Sequence, residues 1–311
     1  MKIAAIQLDA VFADVPANLE RSEALVHQAV STGAELVLLP EFFTSAIGFS
    51  ERMLDVPRQN ELVHQVLADW ALRYGVIVGG SYIKFDGKDA YNLFQLVFPN
   101  GDTYEHKKDM PTQFENCYYT DGDCDHILAT PAGNFGVALC WEMIRYDTLR
   151  RIGGNADVVL CGSCWWDLPQ DAPPEREPLR RYNQELALKT PAVFAELAHT
   201  PVAHASHCGV VASLRFPHGD QRQVRQMVGG AQIVDRSGRV LAARPFAQGA
   251  GFVLSEIPLH RTTQKQTAVF PCEFWIPDLP DSYLRAWETL NPLGKSYYAA
   301  AALPAYQKNS L

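Results

Sequence analysis

Cys140 is the residue whose position in this 311-residue chain most favours covalent chemistry. The apolar run Val137–Leu139 predicts the end of a buried strand, and Met143–Ile152 has the spacing of a short helix. At such a turn the side chain leaves the sheet, and nearby backbone N–H groups can stabilise a developing anion. A thiol there could be a nucleophile, although an unpaired cysteine in an apolar strand is more often a small buried hydrophobic residue.

A nucleophilic thiol needs a base and a low pKa, and two residues have suitable positions. Glu41 ends the apolar run Leu36–Leu39 and precedes two phenylalanines. Apolar neighbours raise the pKa of a carboxyl group by desolvation, as a general base near neutrality requires. Lys108 ends a predicted hairpin strand, where its ammonium group could stabilise an oxyanion and lower the pKa of a thiol. Each residue alone is also typical of an ordinary solvated strand end.

Together, these residues lie in motifs that resemble those of the nitrilase superfamily of carbon–nitrogen hydrolases, whose triad is Glu–Lys–Cys. The resemblance extends from Lys2 to about Ile257. The matching motifs are Leu-Leu-Pro-Glu41-Phe, His106-Lys-Lys108-x-Met-Pro-Thr-x-x-Glu115, Gly122-Asp123, Gly136-x-x-x-Cys140-Trp-Glu142, Gly229-Gly-Ala-Gln-Ile-Val-Asp235 and Ser237-Gly238. Three separate catalytic motifs in the right order are too specific for a chance match.

The resemblance implies an α/β fold, a four-layer α-β-β-α sandwich of one domain, with Glu41, Lys108 and Cys140 converging above the sheet ends. Glu115 lies where members often keep a second glutamate near the thiol. Cys140 would attack an amide or nitrile carbon after Glu41 takes its proton, while Lys108 and the backbone N–H of Trp141 stabilise the oxyanion. These steps need no metal and no organic cofactor. Such domains commonly pair, which implies a homodimer or a larger homo-oligomer.

The motifs around Cys140 leave amide and nitrile substrates both open. Cys140-Trp-Glu142 is closer to true nitrilases than to the Cys-Tyr-Asp amidase pattern, but Met143–Arg145 departs from the usual nitrilase continuation. Residues 191–208 also lack the usual asparagine at a strand end. Most branches of the superfamily hydrolyse amides or carbamoyl groups. We therefore favour a carboxamide or N-carbamoyl substrate over a nitrile.

Three aromatic residues are predicted to contact the substrate. Tyr118, Trp165 and Trp166 lie near segments that form the pocket in the family. Aromatic packing in the core explains the same residues equally well.

The elements that must position these residues alternate between strands and helices, as in a layered α/β fold. The predicted strands are Lys2–Leu8, Leu36–Leu39, Val76–Lys84, a hairpin of Tyr91–Pro99 and Asp102–Lys108, Phe135–Leu139, Asp157–Cys161, either Ala192–Ala198 or Val202–Ser206, Gly229–Val234, Arg239–Arg244 and Gly251–Ile257. The predicted helices are Pro16–Gly33, Glu61–Arg73, Arg145–Ile152 and Pro178–Leu188.

We assign residues 1–259 to a carbon–nitrogen hydrolase domain and residues 260–311 to a C-terminal extension. The extension is rich in proline and aromatic residues. An aromatic segment of this kind packs on its own domain or on a partner subunit.

Composition excludes several other classes of protein. The net charge of −8 gives no electrostatic support for binding nucleic acid. No window approaches the roughly 18 apolar residues of a membrane span, and the N-terminus has no secretory leader pattern. Seven cysteines, an odd and thinly spread number, favour reduced thiols in the cytoplasm over a disulfide framework.

Two further patterns offer rival chemistry. Cys161-Gly-Ser-Cys164 has redox or zinc spacing, but no second cysteine pair completes a four-cysteine site. A possible metal cluster comprises His199, His204, His207 and Cys208. If 202–206 is a strand, His204 and His207 point to opposite faces, which argues against shared ligation. The strongest non-enzymatic alternative is a catalytically silent subunit that binds partners through the aromatic extension.

Overall fold

Strands and helices alternate along most of the chain in the computed structural model, which describes residues 1–123, 125–259, 269–270, 273–275 and 279–309. The strands are β1 (Lys2–Asp9), β2 (Leu36–Leu38), β3 (Ile77–Phe85), β4 (Ala90–Val97), β5 (Thr103–Lys107), β6 (Ile127–Thr130), β7 (Gly133–Val137), β8 (Val158–Ser163), β9 (Trp166–Pro169), β10 (Val202–Cys208), β11 (Val210–Leu214), β12 (Arg222–Met227), β13 (Ala231–Val234), β14 (Val240–Arg244) and β15 (Gly251–Glu256). The α-helices are α1 (Val15–Ser31), α2 (Val56–Gln59), α3 (Val63–Tyr74), α4 (Tyr146–Ile152), α5 (Glu177–Ala198), α6 (Asp281–Tyr297) and α7 (Leu303–Asn309).

β1 lies at the centre of a twelve-stranded sheet formed by the described residues. The order β5-β4-β3-β2-β1-β10-β8-β7-β6 runs through the sheet, with β15 beside β1, β13 beside β10, and β14 beside β13. β1 is parallel to β2 in the register Ile3↔Leu36 and parallel to β10 in the register Gln7↔Ser206. It therefore joins the strands that precede Glu41 and Lys108 to those around Cys140.

Side chains alternate between the two faces of β1, as a strand requires. Ile3 and Ala5 pack in one buried cluster with Phe135 of β7 and Leu160 of β8. Since those residues come from the other half of the sheet, the two halves face each other across this cluster.

Helices cover the outer faces of both halves. Ala4 and Ile6 pack in a cluster that includes residues of α1 and α3. Val159 and Cys161 pack with residues of α4 and α5. The layers therefore run helix, sheet, sheet, helix, and the predicted four-layer α-β-β-α sandwich is confirmed.

Most of the predicted elements are present, and one of the two alternatives for the strand after α5 is wrong. Residues 192–198 belong to α5, which continues through Pro191, and the strand is β10. Leu186, Phe194 and Ala198 are all buried, so the apolar residues follow a helical spacing over the full length of α5. The sequence analysis also missed the three-stranded sheet β11-β12-β9.

The described part of the C-terminal extension packs on the rest of the same chain. Trp287 of α6 stacks on Trp141 with ring centroids 5.8 Å apart. The hydroxyl group of Tyr298 accepts a hydrogen bond from Ala90 N (2.8 Å), and that of Tyr306 donates one to Tyr118 O (3.1 Å). None of the helices in the described ranges is both long and apolar enough to cross a membrane.

Candidate active site

Cys140 follows β7 and begins the 3-10 turn Cys140–Ile144. Its φ angle is +51°, a left-handed conformation that non-glycine residues rarely adopt. Such a conformation costs on the order of 1–3 kcal/mol and is found most often at functional sites. The residue is only 2% exposed. The predicted turn is therefore present, and surrounding contacts must stabilise the strained thiol-bearing residue.

Glu41 follows β2 and is fully buried. Its Oε1 accepts hydrogen bonds from Lys108 Nζ (2.8 Å) and Asn92 Nδ2 (2.9 Å). Its Oε2 accepts the backbone N–H of Cys164 (3.0 Å). His207 Nε2 lies 2.6 Å from the main-chain carbonyl of Glu41. These contacts fix both the side chain and the backbone of the glutamate.

Lys108 lies between two carboxylates. In addition to Glu41, its Nζ contacts Glu115 Oε2 at 2.7 Å. The same oxygen of Glu115 accepts the backbone N–H of Thr112 (3.0 Å) and the hydroxyl group of Tyr119. All three charged residues are buried, so solvent screens their interactions very little.

Burial and neighbouring charges set the protonation of this group. Burial raises the pKa of Glu41, Lys108 lowers it and Glu115 raises it again, and the resulting pKa is about 7. Burial alone lowers the pKa of Lys108, but Glu115 and Glu41 raise it well above its ordinary value. The lysine is therefore a fixed cation beside a carboxyl group that titrates near neutrality.

Burial has the largest effect on the pKa of the Cys140 thiol. Burial raises this pKa well above its usual range, the charge of Glu41 raises it further, and Lys108 lowers it by less. Lys108 thus lowers the thiol pKa, as predicted, but burial and the charge of Glu41 outweigh its effect. Cys140 is a neutral thiol at pH 7, so nucleophilic attack requires a base that removes its proton.

Glu142 lies in a second buried carboxylate cluster. Its oxygens accept the backbone N–H groups of Asp109 (2.7 Å) and Leu139 (2.7 Å), and His106 Nε2 lies 3.1 Å from Oε2. Burial alone raises the pKa of Glu142, but His106 and His126 lower it well below its ordinary value.

This second cluster connects the backbone segments that carry Lys108 and Cys140. His106 precedes Lys108 by two residues, and Glu142 follows Cys140 by two. The contact between His106 and Glu142 therefore fixes the position of the segment that carries Lys108 relative to the segment that carries Cys140.

His106, His126 and Glu142 are also the group in the described residues whose ligand atoms are spaced for a metal ion, within 4.8 Å of one another. Both oxygens of Glu142 already accept hydrogen bonds from backbone N–H groups, so the carboxylate is engaged within the protein itself. The histidines of the metal cluster considered from sequence have other contacts: His204 lies 2.9 Å from Ser163 Oγ, and His207 contacts Glu41. Cys161 and Cys164 are buried free thiols.

A cavity of about 610 Å³ opens beside Cys140. Its walls include Trp141, Trp165, Trp166 and Tyr283. Asn183 of α5 holds this wall together, because its Oδ1 accepts hydrogen bonds from Trp165 Nε1 (3.0 Å) and Tyr283 OH (2.8 Å). The C-terminal helix α6 thus forms one side of the cavity.

The predicted pocket residues differ in where they lie. Trp165 and Trp166 both line the cavity. Tyr118 is buried away from the cavity lining, and its hydroxyl group donates to Ser50 O (3.0 Å) and accepts from Ser50 N (2.8 Å). Phe49 and Tyr297 pack against the Tyr118 ring, so packing rather than pocket lining explains this tyrosine.

Sequence reasoning missed three residues of the site: Asn92, Tyr119 and His207. Asn92 and His207 contact Glu41 from segments distant in sequence, whereas Tyr119 contacts Glu115 from four residues away. The only local signal is polar residues inside apolar strands, at Asn92 in β4 and His207 in β10. That signal shows a buried polar residue but does not show its partner.

The four-layer sandwich with a buried carboxylate, ammonium and thiol at its strand ends places the protein among the nitrilase-type proteins. The sequence model of the carbon-nitrogen hydrolase family matches residues 2–266. The chain therefore belongs to the carbon–nitrogen hydrolase family, within the nitrilase superfamily.

Curated relatives with two kinds of activity are similar to the chain. Nitrilase 1 from Arabidopsis thaliana is 31% identical over 46% of this chain and 47% of its own length. Omega-amidase NIT2 from Danio rerio is 32% identical over 43% of this chain and 52% of its own length. The chain spans about half the length of the curated relatives it matches.

Solved structures share the fold at low sequence identity. A carbon–nitrogen hydrolase from Helicobacter pylori aligns with a TM-score of 0.71 at 20% identity, over 83% of this chain and 89% of that one. An amidase from Nesterenkonia sp. AN1, solved as a serine variant of a cysteine, aligns with a TM-score of 0.65 at 19% identity, over 83% and 92% of the two chains.

Proposed function

We propose that the protein hydrolyses a non-peptide carbon–nitrogen bond in a carboxamide or N-carbamoyl compound, through a thioester on Cys140. The observation that carries the proposal is the hydrogen-bonded group of Glu41, Lys108 and Glu115 around a neutral, strained thiol. Glu41 has a pKa of about 7 and so can both take and return a proton at neutral pH.

Acylation begins when Glu41 removes the thiol proton as Cys140 Sγ attacks the carbonyl carbon. The new C–S bond forms, and the carbonyl π electrons move to oxygen. Lys108 and the backbone N–H of Trp141 stabilise that oxyanion. This N–H donates no hydrogen bond to any residue that the structure describes, so it is available for the role.

The intermediate then loses its nitrogen. The C–N bond breaks, the nitrogen takes the proton from Glu41, and ammonia or an amine leaves the thioester. Glu41 next takes a proton from water, whose oxygen attacks the thioester carbon. The C–S bond breaks, the thiolate recovers its proton, and the carboxylic or carbamic acid departs. Glu115 keeps Lys108 in place throughout.

A nitrilase is the second candidate, because relatives named nitrilases match nearly half of the chain. The relatives also include an omega-amidase. The amidase is preferred because most branches of the superfamily act on amides and because the sequence after Glu142 departs from the nitrilase pattern. Ammonia release from a panel of amides, N-carbamoyl compounds and nitriles separates the two. Turnover of nitriles alone would refute the amidase preference.

The first experiment replaces the proposed nucleophile. Cys140→Ala should reduce hydrolysis at least about 1,000-fold, because no other group can form the thioester. Circular dichroism should show the fold retained. The matched control is Cys208→Ala, another buried free thiol, which should remain active.

Two results would refute the mechanism or the activity. A fully active Cys140→Ala protein excludes the thioester. A wild-type protein with native structure that hydrolyses no compound of the panel supports instead a silent binding subunit.

The oligomeric state of the protein and its location in the cell are also proposals. We propose a homodimer or larger homo-oligomer, which light scattering of the purified protein tests. We also propose a cytoplasmic location, supported by the free thiols of all five cysteines in the described part of the chain. Fluorescence microscopy of a tagged chain tests the location.

A further inference from the structure

Arg225 is a largely buried cation that lines the same cavity as Cys140. Among the described residues, the acceptor it contacts is the main-chain carbonyl of Asp167, 3.2 Å from Nη1. Its Nε is buried and has no hydrogen-bond partner. An ionised side chain is costly to bury without an ion partner, so this arrangement calls for a ligand.

The strand pattern of β12 directs Arg225 inward. Gln223 and Met227, two residues to either side, are buried, while Arg222 and Val224 are exposed. Because alternate residues of a strand share a face, Arg225 belongs to the inner face and Arg222 to the outer one. β12 pairs with β9, the strand that begins at Trp166 in the cavity wall.

The carboxylates closest to Arg225 are already engaged. Asp167 contacts Arg180 Nη1 (3.1 Å) and Gln184 Nε2 (2.7 Å), and Asp171 contacts Arg215 (3.2 Å). Burial lowers the pKa of Arg225 to about 10, with a further decrease from Arg215. The guanidinium group of Arg225 therefore stays charged at neutral pH. The neighbouring carboxylates form ion pairs with other arginines.

The rest of the cavity is suited to an apolar part of a substrate. Its apolar lining includes Trp141, Trp165, Trp166, Leu179 and Leu290. Glu175 and Arg176 also line it, but both are exposed and of opposite charge, so they contribute no net charge. Gln113, Asn183 and Ser282 are uncharged polar residues of the lining, so Arg225 is the largely buried charge of a space with many aromatic and aliphatic walls.

We propose that Arg225 binds a carboxylate on the substrate, so that the substrate is an amide or N-carbamoyl compound with an apolar or aromatic body and a separate carboxylate group. A planar guanidinium with free donors is the side chain that best matches a carboxylate. This inference rests on the proposed function, since it assigns the end of the substrate away from the scissile bond.

A carboxylate substrate and its uncharged methyl ester test the inference. The pair is 4-(2-carbamoylethyl)benzoate and its methyl ester, with ammonia release as the measurement. Wild-type kcat/KM should be at least about tenfold higher for the carboxylate. In Arg225→Gln, kcat/KM for the carboxylate should fall about 10- to 100-fold, chiefly through KM, with the ester changed by less than about twofold. Arg225→Lys should restore part of the loss.

Arg222→Gln, on the outer face of the same strand, is the matched control and should resemble wild type for both substrates. If Arg225→Gln lowers kcat/KM equally for both substrates, or for neither, the carboxylate site is refuted. Wild-type turnover of other amides but of neither member of the pair also refutes it.

Binding measured without turnover separates this inference from the proposed function. Calorimetry with Cys140→Ala should detect 4-(2-carbamoylethyl)benzoate, and the Cys140→Ala, Arg225→Gln double variant should bind it about 10- to 100-fold more weakly. That result supports the carboxylate site even if the wild type releases no ammonia. Equal affinity of the two variants refutes the site, whatever the activity.

Discussion

Glu41 and Glu142 are equally buried glutamates that follow strands of the same sheet, but the pKa of Glu41 is raised to about 7 and that of Glu142 is lowered. Burial favours the neutral carboxyl group in both cases. Glu142 accepts two backbone N–H groups and faces two histidines, which together outweigh burial. Glu41 shares its lysine with Glu115, whose negative charge adds to the effect of burial.

This difference in pKa shows that two glutamates in one buried site can have different roles, one in proton transfer and one in positioning. A carboxyl group that titrates near pH 7 can transfer protons, whereas one that is held ionised by fixed donors can only position its neighbours. We therefore propose proton transfer for Glu41 and backbone positioning for Glu142.

Glu41→Gln should have the largest effect on activity. The amide cannot accept the thiol proton, so kcat should fall about 100- to 10,000-fold, the range for loss of a general base. The melting temperature should also fall, because the amide group would place an N–H donor either against the backbone N–H of Cys164 or against Lys108 and Asn92. Steady-state kinetics and thermal unfolding measure the two effects. The exposed Glu61→Gln serves as control, and substantial residual activity in Glu41→Gln would contradict the assignment.

Glu142→Gln should affect stability more than chemistry. Its amide group would place an N–H donor against the N–H groups of Leu139 or Asp109, at a cost of about 2–4 kcal/mol in the free energy of unfolding. Urea unfolding at pH 7 measures this cost, and kcat should fall by less than about tenfold.

The difference between wild type and Glu142→Gln also has a predicted pH dependence. Because folding lowers the pKa of Glu142, its ionised form stabilises the protein fully above the ordinary value of 4.5, and this stability is lost as the pH falls below that value. Unfolding curves that differ equally at pH 7 and pH 3 would contradict the role of the charge.

Asn92→Leu should give the smallest effect, seen in the pH profile. In wild type, kcat/KM should rise with pH through about 7, because Glu41 must lose its proton to act as the base. Asn92 Nδ2 stabilises the ionised form of Glu41, so its removal should shift this rise upward by about one pH unit. Activity should then fall about tenfold at pH 6 and change little at pH 9. An unshifted profile would show that Asn92 has no electrostatic role.

The sequence predicted the strands and turns that carry Glu41, Lys108 and Cys140, because each signal is local: an apolar run, a turn and a polar residue after it. β2 before Glu41, the hairpin before Lys108 and the turn at Cys140 all lie near their predicted positions. In the cavity wall, Trp165 and Trp166 were predicted but Arg225 was not. β9 and β12 are short, and a polar residue such as Arg225 gives no local sign of which strand will lie beside it.

By itself, the sequence determined the family and the layered fold, and it predicted the thiol, carboxylate and ammonium residues of the candidate site, since these depend on short motifs and local periodicity. Tertiary structure alone decided the protonation of those residues and the shape of the cavity. A pKa depends on burial and on charges brought together from distant segments, as Glu115, Asn92 and His207 are around Glu41 and Lys108. The same packing places α6 across the cavity and leaves Arg225 charged inside it.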